Sequence, residues 1–321
     1  DSSTSRGLGD VYKRQDQDID RAIELLEKAR ETTLAENNKS HINLYVALGI
    51  KSRACLAEGD WDGAFKAAKR VIDEGGYAVG TKSDLTSGMN SLDKQNVMWG
   101  AGIQVADQAG GYAGFFTHMD NKEGAYAKSA PKLISKQLYN RISATDIRRD
   151  WWDPSDKESP YVSKKFSFAN VASFLGDYIY MRVEEMYFTA AEAALRLDDL
   201  KSARELMNTV MAERDPGYSA NNRSGTLLGA TTTTWTGSFL ENILTHRRIE
   251  LWGEYGRLFD VRRLGQGIDR RTDDGFSEEC ISMMNRRNVN ITKADTYDWV
   301  LTIPKAELDA NPNINEEDQN P

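Results

Sequence analysis

From Asp18 onward the apolar residues Ile19, Ala22, Ile23, Leu26 and Ala29 recur at the three- and four-residue intervals that gather side chains on one face of a helix. The same period predicts a second helix over about residues 40–58 and a third over 60–74, the latter with Trp61, Ala64, Phe65, Ala68, Val71 and Ile72 on one face. Gly59-Asp60 between them combines a breaker with an N-cap, so these two helices fold back as a hairpin. The architecture returns over 182–213: Val183, Met186, Tyr187, Ala190, Ala191, Ala194 and Leu195 form one helical face. Asp198-Asp199 interrupts it, and Ala203, Leu206, Met207 and Val210 continue beyond. Ala54 and Ala193, Asp60 and Asp199, Ala64 and Ala203, and Val71 and Val210 are each 139 residues apart. Small residues at such contacts let helices approach closely, as in tetratricopeptide repeats. With so long a segment between them, the hairpins (about 18–74 and 182–213) predict a helical scaffold and not a regular solenoid.

The intervening chain has weaker periods. Residues 97–105 alternate as a short strand would, and Pro131 opens a predicted helix through Tyr139. Residues 107–130 are glycine-rich and aromatic with no period. The irregular stretches 77–130, 216–237 and 266–297 are long enough to be functional loops or disorder. Over about 238–264 charges crowd among apolar residues. Arg247, Glu250, Glu254, Arg257 and Asp260 fall three or four apart, and one continuous helix would align them as an alternating ladder. The ladder is either a solvated face or a strut pinned by ion pairs. Together the pattern predicts a mainly α domain over 16–321 with helical hairpins, long irregular loops and few short strands.

Composition narrows the function. Formal net charge is -8 across 321 residues, and no basic stripe with interleaved aromatics supplies the surface a nucleic acid needs. The two cysteines, Cys55 and Cys280, cannot build a disulfide framework, and Cys55 reads as a small core residue. No apolar run reaches the length of a membrane span. Residues 10–15, Asp-Val-Tyr-Lys-Arg-Gln, are similar to the translation of a transposon end used in sequencing libraries. Residues 1–15 are therefore expected to be a non-native or disordered leader.

Candidate chemistry is sparse. His41, His118 and His246 are scattered without metal-ligand spacing, and no cofactor is expected. Asp16, Asp18 and Asp20 alternate like a calcium loop but lack its Gly and terminal Glu, so they read as acids favoured at a helix N-terminus. Glu184-Glu185 or Glu250 with Glu254 could pair as in a glycosidase, yet Arg182, Arg247 and Arg257 beside them favour structural ion pairing. Trp61, Trp151 and Trp152 read as packing residues. What remains suits carbohydrate binding, in which flat C–H faces stack on aromatic rings and hydroxyls meet polar side chains. Tyr112, Phe115, Phe116 and Tyr126 lie beside Asp120 and Asn121, and Trp235, Arg270, Asp273 and Asn285 in the later loops could complete a site. Phe115 and Phe116 either face a ligand or anchor their loop.

Three segments carry a family resemblance. The stretch Arg247-Arg248-Ile249-Glu250-Leu251, with Glu254, Gly256, Arg257, Phe259, Asp260, Arg262, Arg263 and Gly265, resembles the late helix of the SusD/RagB family, with Leu264 where a Trp is usual. Arg182, Glu185 and Tyr187 followed by Ala191-Glu192-Ala193 are similar to a second family sequence. Ile303-Pro304, Glu307, Asn311-Pro312, Ile314 and the final Gln319-Asn320-Pro321 resemble its closing segment. The resemblance implies a non-catalytic, lipid-anchored protein on the outer leaflet of the outer membrane. Such a protein captures oligosaccharide or, in some members, peptide for a SusC-like TonB-dependent transporter. It also implies that further binding residues and the lipid anchor belong to an N-terminal region preceding this sequence, and that the charged helix is scaffold. A tetratricopeptide-like protein-interaction scaffold and a helical glycosidase are the alternatives from other classes.

Overall fold

The computed structural model describes residues 3–30, 38–106, 114–221, 237–266 and 302–319. Helix α1 (Ser3–Arg30) precedes the first predicted hairpin, α2 (Leu44–Glu58) and α3 (Trp61–Glu74). Asn43 caps α2 by accepting from the Val46 N–H, and Asp60 caps α3 by accepting from the Gly63 N–H. The second hairpin, introduced below as α8 and α9, repeats this chemistry at the 139-residue offset. Asp199 accepts from the Ser202 N–H, as Asp60 does from Gly63. Gly59 and Asp198, at equivalent turn positions, both adopt the left-handed conformation, with φ of 82° and 63°.

Between the hairpins come α4 (Lys82–Leu85), β1 (Val97–Ala101), α5 (Phe115–Met119), α6 (Ala125–Ser129) and α7 (Lys136–Tyr139). A 3₁₀ turn at Ile147–Trp151, β2 (Trp152–Asp153), β3 (Val162–Ser163) and β4 (Tyr178–Arg182) complete the excursion. β1 pairs antiparallel with β4, from Val97 opposite Arg182 to Ala101 opposite Tyr178, with irregularities at Trp99. This ladder closes the base of the excursion, and β2 pairs with β3 within it. The excursion has its own core of Leu85, Phe116, Ile134, Leu138, Trp151, Trp152, Phe166 and Phe168.

The ladder delivers the chain directly into α8 (Val183–Arg196), followed by α9 (Leu200–Ala212), α10 (Phe239–Glu250) and α11 (Arg257–Arg263). α8 is the central helix, and α3, α9 and α10 all pack on it. Its Ala190, Ala191, Ala193 and Ala194 are buried, as are Ala64, Ala67 and Ala68 of α3. Small side chains on both helices permit a close approach, so the two hairpins stack as neighbours in space. The expected separation of the repeats is thereby corrected: the intervening segment loops out and returns. Near the C-terminus, α12 (Lys305–Ala310) is followed by a fold-back in which Gln319 receives the Ile303 N–H at 2.7 Å and donates to the Ile303 carbonyl at 3.0 Å.

Four other expectations change. The single charged helix over 238–264 is two helices, broken at residues 251–256, where Gly253 and Gly256 take φ of 75° and 109°. Side chains at those angles would be strained, which is why the i to i+4 ladder does not form. Asp16, Asp18 and Asp20 lie well inside α1 and not at its N-terminus, and Asp20 pairs with Lys51 of α2. The helix expected from Pro131 is confined to α7, capped by Ser135, because Leu133 bridges to Val162. Residues 115–129, expected to be irregular, contain the short helices α5 and α6, begun at Gly114 and Gly124.

The repeat offset makes a prediction. Asp198→Gly places in the second hairpin the residue the first one uses, relieving the left-handed backbone, and should stabilise the protein by about 0.5–1 kcal/mol. Denaturant melts of the two proteins measure it, and a lower midpoint would count against the equivalence.

Candidate functional site

The most charged region of the molecule is buried. Glu250, the last residue of α10, accepts at one oxygen from Arg182 Nη1 and Arg214 Nη2, each at 3.0 Å, and at the other from Arg214 Nε at 3.0 Å and Arg148 Nη1 at 3.1 Å. Glu184 accepts from Arg214 at 2.8 Å, the Gly80 N–H at 2.8 Å and Asn96 at 3.0 Å. Glu254 takes both nitrogens of the Arg182 fork at 2.8 Å and the Lys165 ammonium at 2.5 Å. Lys165 also donates to the carbonyls of Glu250 and Trp252, and Arg148 to Asp146. Four cations, Arg148, Lys165, Arg182 and Arg214, thus face four carboxylates, Asp146, Glu184, Glu250 and Glu254. The cluster joins the excursion, β4, α8, α10 and the chain after α9.

A second network adjoins it through the next residue of α8. Glu185 pairs with Arg53 at 2.6 Å and Arg247 at 3.4 Å, and Arg247 pairs with Asp260 at 3.0 Å. Arg263 links Asp260 to Glu192, which also holds Arg196. Of the five residues expected to form one ladder, Arg247 and Asp260 meet here, Glu250 and Glu254 belong to the first cluster, and Arg257 opens α11. The sequence missed the partners that matter most, Arg148, Lys165 and Arg214, because each comes from a distant segment.

The electrostatics follow from this packing. Burial alone would raise the Glu250 and Glu254 carboxyls, but the arginines around Glu250, and Arg182 with Lys165 around Glu254, hold both below the usual range. Burial pushes the Lys165 ammonium down to about 8, against the pull of Glu254. Glutamates so occupied by guanidinium groups are scaffold, and the glycosidase-like pairings considered from sequence are ion pairs in the fold. Among the described residues no group of three or more His, Cys, Asp or Glu is placed to hold a metal ion.

The expected ligand residues divide. Tyr112, Trp235, Arg270, Asp273 and Asn285 lie outside the described residues. Phe116 is buried in the excursion's core, and Phe115 packs edge-on against it and Phe166. Asp120 is buried and accepts from the backbone N–H groups of Lys122, Glu123 and Phe168, each at 3.0 Å. Asn121 donates to the Ser163 carbonyl and accepts from the Lys132 N–H, both at 2.8 Å. These four build the platform. Tyr126 is the ring they present, 36% exposed and stacked on His118 at 4.7 Å with an interplanar angle of 8°.

One exposed ring was missed. Phe174 sits on a tight turn closed by the Asn170–Leu175 bridge, is 50% exposed and has φ of 53°. An aromatic residue in the left-handed region costs backbone strain, which at binding sites is often part of the function. Phe174 packs edge-on to Phe168, which contacts Phe116 of α5, so Tyr126 and Phe174 border the same short helix. Asn170 and Gly176 bracketing an aromatic were the available sequence signal.

Residues 117–321 match the SusD family, and the chain belongs to that family. Among solved structures, a SusD-like carbohydrate binding protein from Bacteroides vulgatus is 28% identical, with a TM-score of 0.65 over 81% of this chain and 52% of its own. A SusD superfamily protein from Bacteroides thetaiotaomicron is 23% identical, with a TM-score of 0.71 over 95% of this chain and 66% of its own. Surface glycan-binding protein A from Bacteroides uniformis is 17% identical, with a TM-score of 0.63 over 97% of this chain and 68% of its own. The chain thus spans about half to two thirds of the first two. No curated protein matches it. The mainly helical fold expected from sequence agrees with these neighbours. Among the described residues no helix is long and apolar enough to cross a membrane.

Glu250→Gln keeps the shape but removes the anion that three arginines share, and should cost about 3–5 kcal/mol. Chemical denaturation measures it, and a loss under about 1 kcal/mol would contradict the hub assignment. The pH dependence has a definite sign. Carboxyls whose folded pKa lies below the unfolded value of about 4.3 give stability that is complete above that value and lost as pH falls through the folded one. Melting temperature should therefore fall steeply below about pH 4, and less steeply in Glu254→Gln, which has one such carboxyl fewer.

Proposed function

We propose that this protein captures a glycan at the bacterial cell surface without cleaving it and delivers it to a SusC-like TonB-dependent transporter, held to the outer leaflet of the outer membrane by a lipid anchor. The observation that carries the reading is the pair of exposed rings, Tyr126 and Phe174, raised around α5 in a member of the SusD family. Stacking on such rings holds a sugar by its C–H face while leaving its hydroxyls to water or polar neighbours. Membership supports the class, and the names of the B. vulgatus and B. uniformis neighbours support carbohydrate as the ligand. Binding without turnover fits carboxylates that are occupied by arginine. Nothing in this chemistry singles out one sugar.

Calorimetry against a panel of soluble polysaccharides, with product analysis, tests the reading. Binding without hydrolysis is expected, and Tyr126→Ala and Phe174→Gly should each weaken it about threefold to tenfold, the usual worth of an aromatic contact. The glycine also relieves the backbone at 174, so folding is not at risk. Hydrolysis would sink the proposal, and so would unchanged affinity in the double variant.

A further inference from the structure

A second group of exposed rings lies on the scaffold. Tyr180 of β4 stands edge-on to Trp99 of β1, with ring centroids 5.1 Å apart. Arg53 of α2 donates to the Tyr180 carbonyl at 2.8 Å, and its guanidinium lies 3.8 Å from the centroid of the Tyr255 ring. Tyr255, in the turn before α11, stacks on Phe259 at 5.3 Å with an interplanar angle of 24°. Tyr180, Tyr255 and Phe259 are 41%, 38% and 51% exposed. The rings form a continuous line across three elements and a turn, with Tyr180 at one end and Phe259 at the other.

Isolated exposed aromatics are unremarkable on a protein surface, but these are fixed. Arg53 is clamped by a two-nitrogen contact to Glu185, at 2.9 and 2.6 Å, and so cannot leave Tyr255 without abandoning a buried carboxylate. Gly256, at φ of 109°, makes the sharp turn that sets Tyr255 beside Phe259. Held rings lose little conformational entropy on binding.

The geometry points to a second carbohydrate-binding platform, for a neutral oligosaccharide lying along the line from Tyr180 to Phe259. The electron-rich ring faces suit the partly positive C–H hydrogens of a pyranose. The Tyr180 and Tyr255 hydroxyls can exchange hydrogen bonds with sugar hydroxyls. The charge of Arg53 is already matched by Glu185, so the line favours a ligand without charge of its own. A protein surface would call for aliphatic side chains among the rings, and Leu258 is the one beside Phe259. The platform is distinct from the rings around α5 and stands without them.

The test uses the full chain and three probes: the neutral hexasaccharides of α-1,4-glucose, β-1,4-glucose and β-1,4-mannose. In the Tyr126→Ala/Phe174→Gly background, binding of at least one should remain and fall about tenfold with Tyr180→Thr and Phe259→Leu together. Leucine keeps apolar bulk on α11 and removes only the flat ring, and an unchanged melting temperature confirms the fold. Retained sugar affinity in the four-substitution protein overturns the platform, as does the absence of binding by all three sugars in the two-substitution background. If wild-type affinity survives loss of the α5 rings but not of these, the platform stands and the loop site falls.

Discussion

The fold turns on one constraint: an ionised carboxylate, Glu250, sits out of water at the meeting point of segments far apart in sequence. A buried charge is tolerable only when matched closely, and here Arg148, Arg182 and Arg214 supply the match from three separate places. Each of those arginines must in turn be neutralised by Asp146, Glu254 or Glu184. The demand for neutrality therefore propagates outward and fixes the excursion, β4, α8 and α10 relative to one another. Apolar packing could hold the same elements together, but it would tolerate sliding. Directional guanidinium forks do not.

This arrangement connects scaffold to ligand side. Lys165 is tied to Glu254 and to the carbonyls at the end of α10, and the next residue but two along the chain, Phe168, lies under Phe116 and beside Phe174. The exposed rings near α5 are thus mounted on a segment whose other end is locked into the hub. A binding loop mounted this way needs no large core of its own to hold its geometry.

Much of the scaffold was legible in the sequence. Helical period, the Asp60 and Asp199 caps and the 139-residue offset identify both hairpins, because these signals are local. Their stacking was not, since nothing local indicates that a chain leaving α3 returns beside it to enter α8. The charged segment shows the same limit. Spacing of three and four suggested partners within one helix, whereas Gly253 and Gly256 break the helix and the partners come from elsewhere. In the candidate site composition found Tyr126 correctly among exposed rings but could not separate it from buried Phe116, because burial depends on which face of a five-residue helix meets Phe168. Phe174 escaped notice because its distinction is a backbone angle.

The stacking of α3 on α8 also governs the order in which the protein can assemble. Regular solenoids grow by adding each repeat to the one just made, with short loop closures. Here α3 exposes its alanine face until a segment of roughly a hundred residues has closed behind it, an entropic demand that slows folding and that a nearest-neighbour array never meets. The β1–β4 ladder and the arginine hub draw that loop shut at its base. The scaffold's interior is therefore sealed only after the excursion has returned, and a newly made N-terminal hairpin must wait, apolar side uncovered, for a partner synthesised much later.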